Sequence, residues 1–69
     1  MDLVKVDSSN VNAVGYDEET EELYVEFHSG STYKYLNVPY YVFEELCDAD
    51  SVGQYLNKEV KNTYEYERL

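Results

Sequence analysis

The stretch ELYVEFHSGSTYKYLNVP, Glu22–Pro39, decides how this chain folds. Leu23, Val25 and Phe27 alternate with Tyr24, Glu26 and His28, the period of two expected of a strand with one buried face. Gly30 then sets the return. A three-residue loop of His28, Ser29 and Gly30 ends a type I turn in a left-handed position, where glycine carries no Cβ penalty. Phe27 then faces Ser31, Val25 faces Tyr33 and Leu23 faces Tyr35, so both tyrosines join the apolar face. Lys34 points the other way, opposite Tyr24, and Thr32 opposes Glu26. A two-residue loop of Ser29 and Gly30 would shift the pairing by one, expose both rings and bury Lys34 beside Val25. A buried ammonium without water or partner is heavily penalised. The register therefore favours core-facing rings whose hydroxyls reach the rim over an exposed pair that stacks on a base.

Working outward, MDLVKV (Met1–Val6) reads as a short edge strand and DSSN (Asp7–Asn10) breaks it with residues that hydrogen-bond their own backbone. VNAVGYD (Val11–Asp17) reads as a strand with a phase slip between Val11 and Val14, and Gly15 marks a bulge or a close backbone approach. DEETEE (Asp17–Glu22) places five acids in six residues, a solvated turn that lacks the alternating ligands and sharp glycine turn of a calcium loop. Beyond the hairpin, Pro39 suits the first turn of a helix, and Val42, Phe43 and Leu46 share one face, so a helix is predicted from about Val38 to Cys47. DADS (Asp48–Ser51) ends it. Ser51 and Gln54 form a capping box for a second helix, lined on one side by Val52, Leu56 and Val60 with Tyr55 beside them. Strands first and helices after give an α+β fold: an antiparallel sheet of three to four strands packed against two C-terminal helices, with residues 1–69 as one domain.

Sixty-nine residues, 43% of them apolar, allow one small core, and nine tyrosines supply large rings with few torsions to order. Cys47 is the one cysteine, so no internal disulfide forms, and no zinc-type spacing surrounds it. With no basic n-region and no apolar run near the ~18 residues a span needs, a cytoplasmic protein is expected. Fifteen acids against five bases give a formal net charge of -10, which repels a free polyanion at long range.

Several separated motifs, in order along the chain, resemble the KTSC domain, the small module named after the C-terminus of certain lysyl-tRNA synthetases. They are Ser8 and Ser9, the VGYD of Val14–Asp17, the Tyr-x-Tyr of Tyr33 and Tyr35, Val38 with Pro39, and then Ser51, Gly53, Asn57, Lys61 and Tyr64. The likeness runs from about Val6 to Leu69. It implies an α+β module found alone in bacterial and phage proteins, with RNA as the partner class it points to.

Catalysis is not expected. A Cys–His or Ser–His pair needs mutual contact and an orienting group, whereas Cys47 reads as a small apolar residue ending a helix and His28 as an exposed turn residue without other metal ligands. Gly15, Gly30 and Gly53 are isolated, so no phosphate loop is present; Gly53 reads as a site of close helix packing. No cofactor or metal is implied. Asn57, Lys61 and Tyr64 follow at spacings of four and three, so one helix face can present an amide, a cation and a phenol, with Lys58 beside them and Lys34 as a nearby candidate. The same spacing also serves as support for a helix whose C-terminal end welcomes lysine.

Two readings of different class follow. One is a non-catalytic binding module contacting structured RNA or an RNA-handling protein through Lys34, Asn57, Lys58, Lys61 and Tyr64. The other is an acidic interaction or decoy protein, phage-type, that occupies a basic site on a partner protein. A monomer or weak dimer is expected, since an N-terminal edge strand can pair with a second copy.

Overall fold

Gly30 takes φ +98°, and the hairpin around it closes as the loop argument requires: Phe27 N–H donates to Ser31 O at 2.9 Å and Gly30 N–H to Phe27 O at 2.9 Å. Leu23 pairs with Tyr35, Tyr24 with Lys34, Val25 with Tyr33 and Glu26 with Thr32. In this computed structural model, which describes residues 3–69, Tyr35 is 3% exposed and Tyr33 half-buried against the core, while Lys34 lies on the opposite face of the sheet.

Around this hairpin the strands form an antiparallel meander in sequence order: β1 (Val4–Lys5), β2 (Val11–Asp17), β3 (Glu22–Phe27), β4 (Thr32–Tyr35) and β5 (Tyr66–Arg68). The sheet thus has five strands where three to four were expected. β5 is the addition, pairing Tyr33 with Arg68 and Tyr35 with Tyr66. The expected N-terminal strand is present as β1, although Met1 and Asp2 lie outside the described residues. In β2 the register shifts between Val11 and Ala13, so the extra residue is Asn12 rather than Gly15, which pairs regularly with Tyr24. That bulge is what lets both Val11 and Val14 turn inward, each fully buried.

Helix α1 runs Tyr40–Asp48, two residues later than predicted, with Pro39 at its N-cap in extended geometry. The residue before a proline is pushed out of helical conformation, and Val38 instead donates its N–H to Glu21 O. Val42 and Leu46 bury the inner face, and Leu46, fully enclosed, contributes about 1.5–3 kcal/mol by burial. Tyr16 binds this corner from the sheet: its hydroxyl donates to the carbonyl of fully buried Val38, and its ring stacks on Phe43 with centroids 5.6 Å apart.

Helix α2 (Val52–Tyr55) starts where Ser51 Oγ accepts from Gln54 N–H, the serine half of the capping box. It then widens into a π-helical segment (Leu56–Val60), closed by Lys61 N–H donating to Leu56 O at 2.8 Å. Val52, Leu56 and Val60 complete the core against the sheet. Tyr55 ties α2 to α1 by donating to Glu45 Oε1 at 3.0 Å. Burial first, and then that carboxylate, push its phenol up to about 12.

Gly30→Ala meets open space but a strained φ, so it should destabilise the fold by about 1–2 kcal/mol; an unchanged urea midpoint would contradict the turn assignment. The Tyr55 phenol keeps its proton to about 12 when folded and loses it near 10.0 otherwise, so its contribution is complete below the lower value and is lost as pH climbs between the two. In Glu45→Gln the Tyr55 midpoint, read by phenolate absorbance against Tyr55→Phe, should fall part of the way, because burial remains.

Candidate functional site

The helix-facing side of the sheet is covered by α1 and α2 over β2 and β3, but the corner formed by β3, β4 and β5 is left partly open. There Phe27, Tyr33, Tyr35 and Tyr66 form the sheet wall of a cavity of about 400 Å³, and Leu56, Asn57 and Lys61 form its helical wall. The rings support one another: Phe27 meets Tyr33 edge-on at 5.6 Å, and Tyr66 tilts against Tyr33 at 5.5 Å and Tyr35 at 5.7 Å. Tyr66 stays 54% exposed, at the mouth. Burial, with smaller contributions from Tyr33 and Tyr66, raises the Tyr35 phenol, so it is a neutral hydroxyl at physiological pH.

The question of whether Tyr33 and Tyr35 are core residues or an aromatic platform thus has a two-part answer. They face inward, as the register requires, and the inward face is itself open at this corner.

Asn57, on the π-helical segment, and Lys61, at its C-cap, stand four apart and so project to the same cavity. Asn57 also borders a second, polar hollow of about 410 Å³, where Ser8 and Ser9 meet Ser51 and Gly53 between two acids, Asp7 and Asp50. Ser8 is held there by accepting from Asn10 and Val11 N–H, and its carbonyl lies 2.9 Å from His28 Nε2. A Cβ on Gly53 would sit 3.5 Å from Ser8 Oγ, an ordinary contact, so close packing alone does not demand glycine at that position.

The other expected site residues go elsewhere. Lys58 is exposed on the π-helical segment and does not line the cavity. Tyr64 packs partly buried against the core, its phenol raised by burial and by Tyr41 and Glu59. Lys34 is separated from the group altogether: it sits across the sheet, with Glu22 at 3.2 Å and Glu67 at 3.9 Å. Its hydrogen bond to Glu22 holds the ammonium's pKa up, while Glu22 is held down, first by Thr20 and then by Lys34. The placement of Lys34 near Asn57 is therefore corrected by the same register that turned its neighbours inward.

Sequence reasoning missed Phe27, Ser31, Tyr66 and Arg68 as site residues. Arg68 Nη2 donates to Ser31 Oγ at 3.1 Å, which brings a second cation to the cavity's hairpin rim. The signal was present as alternation, with Tyr64, Tyr66 and Arg68 interleaved by Glu65 and Glu67, the period of a short edge strand.

Cys47 is exposed in the last turn of α1, and partial desolvation of its sulfur together with Asp48 raises its thiol, which lowers the reactive thiolate fraction. Among the described residues no group of three or more His, Cys, Asp or Glu is placed to hold a metal ion, and no helix is long and apolar enough to cross a membrane. What the cavity can do is hold a planar ring against its tyrosines while presenting an amide and a cation.

The chain is similar to a lysine–tRNA ligase of Nostoc sp., 45% identical over 67 residues, which are 97% of this chain but 12% of the ligase. The chain thus spans about an eighth of that relative's length. It is 41% identical to a protein of Stutzerimonas stutzeri over all of this chain and 99% of the other. Among solved structures, a KTSC domain protein from Yersinia pestis superposes with a TM-score of 0.93 at 28% identity, covering 99% of this chain and 96% of that one. Residues 7–64 match the KTSC domain profile, and with the fold and these relatives in agreement, the chain belongs to the KTSC domain family.

Proposed function

We propose that this KTSC module is a non-catalytic binding domain that contacts RNA through Asn57, Lys61 and the tyrosine-lined cavity they overhang. One observation carries the reading. In a chain of net charge -10, none of the residues lining this cavity bears a carboxylate, and Lys61 does line it. Aromatic faces with a cation beside them are the means by which proteins hold unpaired nucleic acid. The similarity to a segment of a protein named as a tRNA ligase supports the same reading. Lys58, exposed on the same helical segment, adds a second charge to the approach.

An acidic docking role has its own support, since Glu18, Glu19 and Glu21 are exposed on the turn between β2 and β3. A basic protein surface would be drawn to that turn. Loss of captured partners when these three are changed to Gln, with RNA retention unaltered, would favour this second reading.

Lys61→Ala should weaken RNA retention by about 1 kcal/mol, roughly fivefold, and flatten its salt dependence by about one unit of slope. Lys34→Ala, on the far face of the sheet, should leave retention within about twofold by the rule that distant sites act independently. Filter retention of structured RNA over a salt series measures both, and equal losses in the two variants would sink the assignment of the binding face.

A further inference from the structure

The cavity's shape and lining specify more than a general RNA contact. Its volume of about 400 Å³ is at the small end of the roughly 300–1,000 Å³ typical of ligand sites, enough for one ring system with a sugar. Phe27, Tyr33 and Tyr66 supply flat apolar walls, already packed against one another and so costing little to order. The Asn57 amide offers both a donor and an acceptor. Of the chain's five cations, Lys61 lines this cavity and Arg68, outside the lining, is bonded to its rim residue Ser31. Lys34, by contrast, is occupied by Glu22 and Glu67. A cationic guest, such as an ammonium held in an aromatic cage, is disfavoured by Lys61 and finds no carboxylate among the lining residues. The chemistry left is a planar ring that carries an anionic group.

We propose that the cavity is a single-nucleotide pocket: one unstacked base of a single-stranded RNA segment lies against Tyr33 and Tyr66, its edge meets the Asn57 amide, and its phosphate sits toward Lys61 and Arg68. This rests on the RNA reading above and narrows it from structured RNA in general to an unpaired residue, because a base still stacked in a helix cannot enter. The exposed position of Tyr66 on the edge strand makes it the outer wall, open to the guest from solvent.

The test is an amide-shift titration of the full chain with AMP, adenosine and inorganic phosphate, run beside RNA retention. AMP should move Phe27, Ser31, Asn57, Lys61 and Tyr66 together and bind roughly fivefold more tightly than adenosine, the charge being worth about 1 kcal/mol. Tyr66→Ala should weaken AMP about tenfold, as removal of one stacking face does, and Tyr66→Phe should stay within about twofold of the parent. If Tyr66→Ala unfolds the edge strand, Tyr66→Phe paired with Lys61→Ala still decides, since the first should keep AMP binding and the second should lose the advantage of AMP over adenosine. No shift of the cavity residues at millimolar AMP, an affinity indifferent to Tyr66→Ala in a folded variant, or tighter binding of a peptide ending in tyrosine with a free carboxylate would each overturn the pocket assignment. AMP binding without RNA retention would leave the pocket standing and end the RNA reading. RNA retention unaffected by Tyr66→Ala would do the reverse.

Discussion

The phase of the β3–β4 hairpin is the constraint from which both the core and the site follow. Side chains alternate along a strand, so a slip of one residue exchanges the two faces of β4 outright. Two independent forces hold the observed phase. Gly30 takes the left-handed turn position without strain, and Lys34 keeps its ammonium beside Glu22 and Glu67 in reach of water. In the slipped register Lys34 would enter a layer made of Leu23 and Val25, both fully buried, where no carboxylate could follow.

With that phase set, the heavy use of tyrosine has a physical explanation. A domain of this size has too little interior to enclose many large rings, so most of its aromatic residues must end at the surface. A phenol suits that position because the ring packs while the hydroxyl meets water or a backbone group. Tyr16 shows it by capping the Val38 carbonyl beside the start of α1, and Tyr55 by reaching Glu45. Tyr33, Tyr35 and Tyr66 show the other consequence: rings packed on one another at the edge of a core leave a concave, apolar yet wettable surface.

How far the sequence reveals this depends on signal strength at each element. Leu23, Val25 and Phe27 alternate cleanly and fix β3; Val52, Leu56 and Val60 fix the inner side of the second helix, and the structure agrees with both. The π-helical widening at Leu56–Val60 is invisible to periodicity, because buried positions four apart fit either helix. β5 is three residues long and exposed throughout, so its one signal was the alternation of Tyr64, Tyr66 and Arg68 with Glu65 and Glu67, with no apolar burial to mark it as a strand. The bulge fell on Asn12 and not on Gly15 since the requirement was to bring Val11 inward, which any extra residue with a polar side chain can satisfy; Asn12 Nδ2 then donates to Glu26. The site inherited these gaps. Asn57 and Lys61 were legible from helical spacing, whereas Tyr66 and Arg68 required knowledge of a strand that only tertiary pairing creates.

A net charge of -10 and a pocket suited to an anion are compatible once the charges are located. The densest acids, Asp17–Glu22, lie at the Glu22 end of β3; the cavity reaches from Tyr35, which pairs with Leu23, to its hairpin rim of Phe27, Ser29 and Ser31 at the other end. Six residues of strand separate those ends by about 17 Å at roughly 3.3 Å per residue. The Debye length at physiological salt is about 8 Å, so the acidic turn acts on the hairpin rim through about two screening lengths, whereas Arg68, bonded to Ser31, acts there at contact range and Lys61 lines the cavity itself. Total charge then governs how often an anion arrives, and local charge governs how long it stays. Raising salt from a low value should relieve the first effect before it erodes the second, so binding of a short single strand is expected to strengthen and then weaken as salt increases. A purely cationic surface would show only the decline.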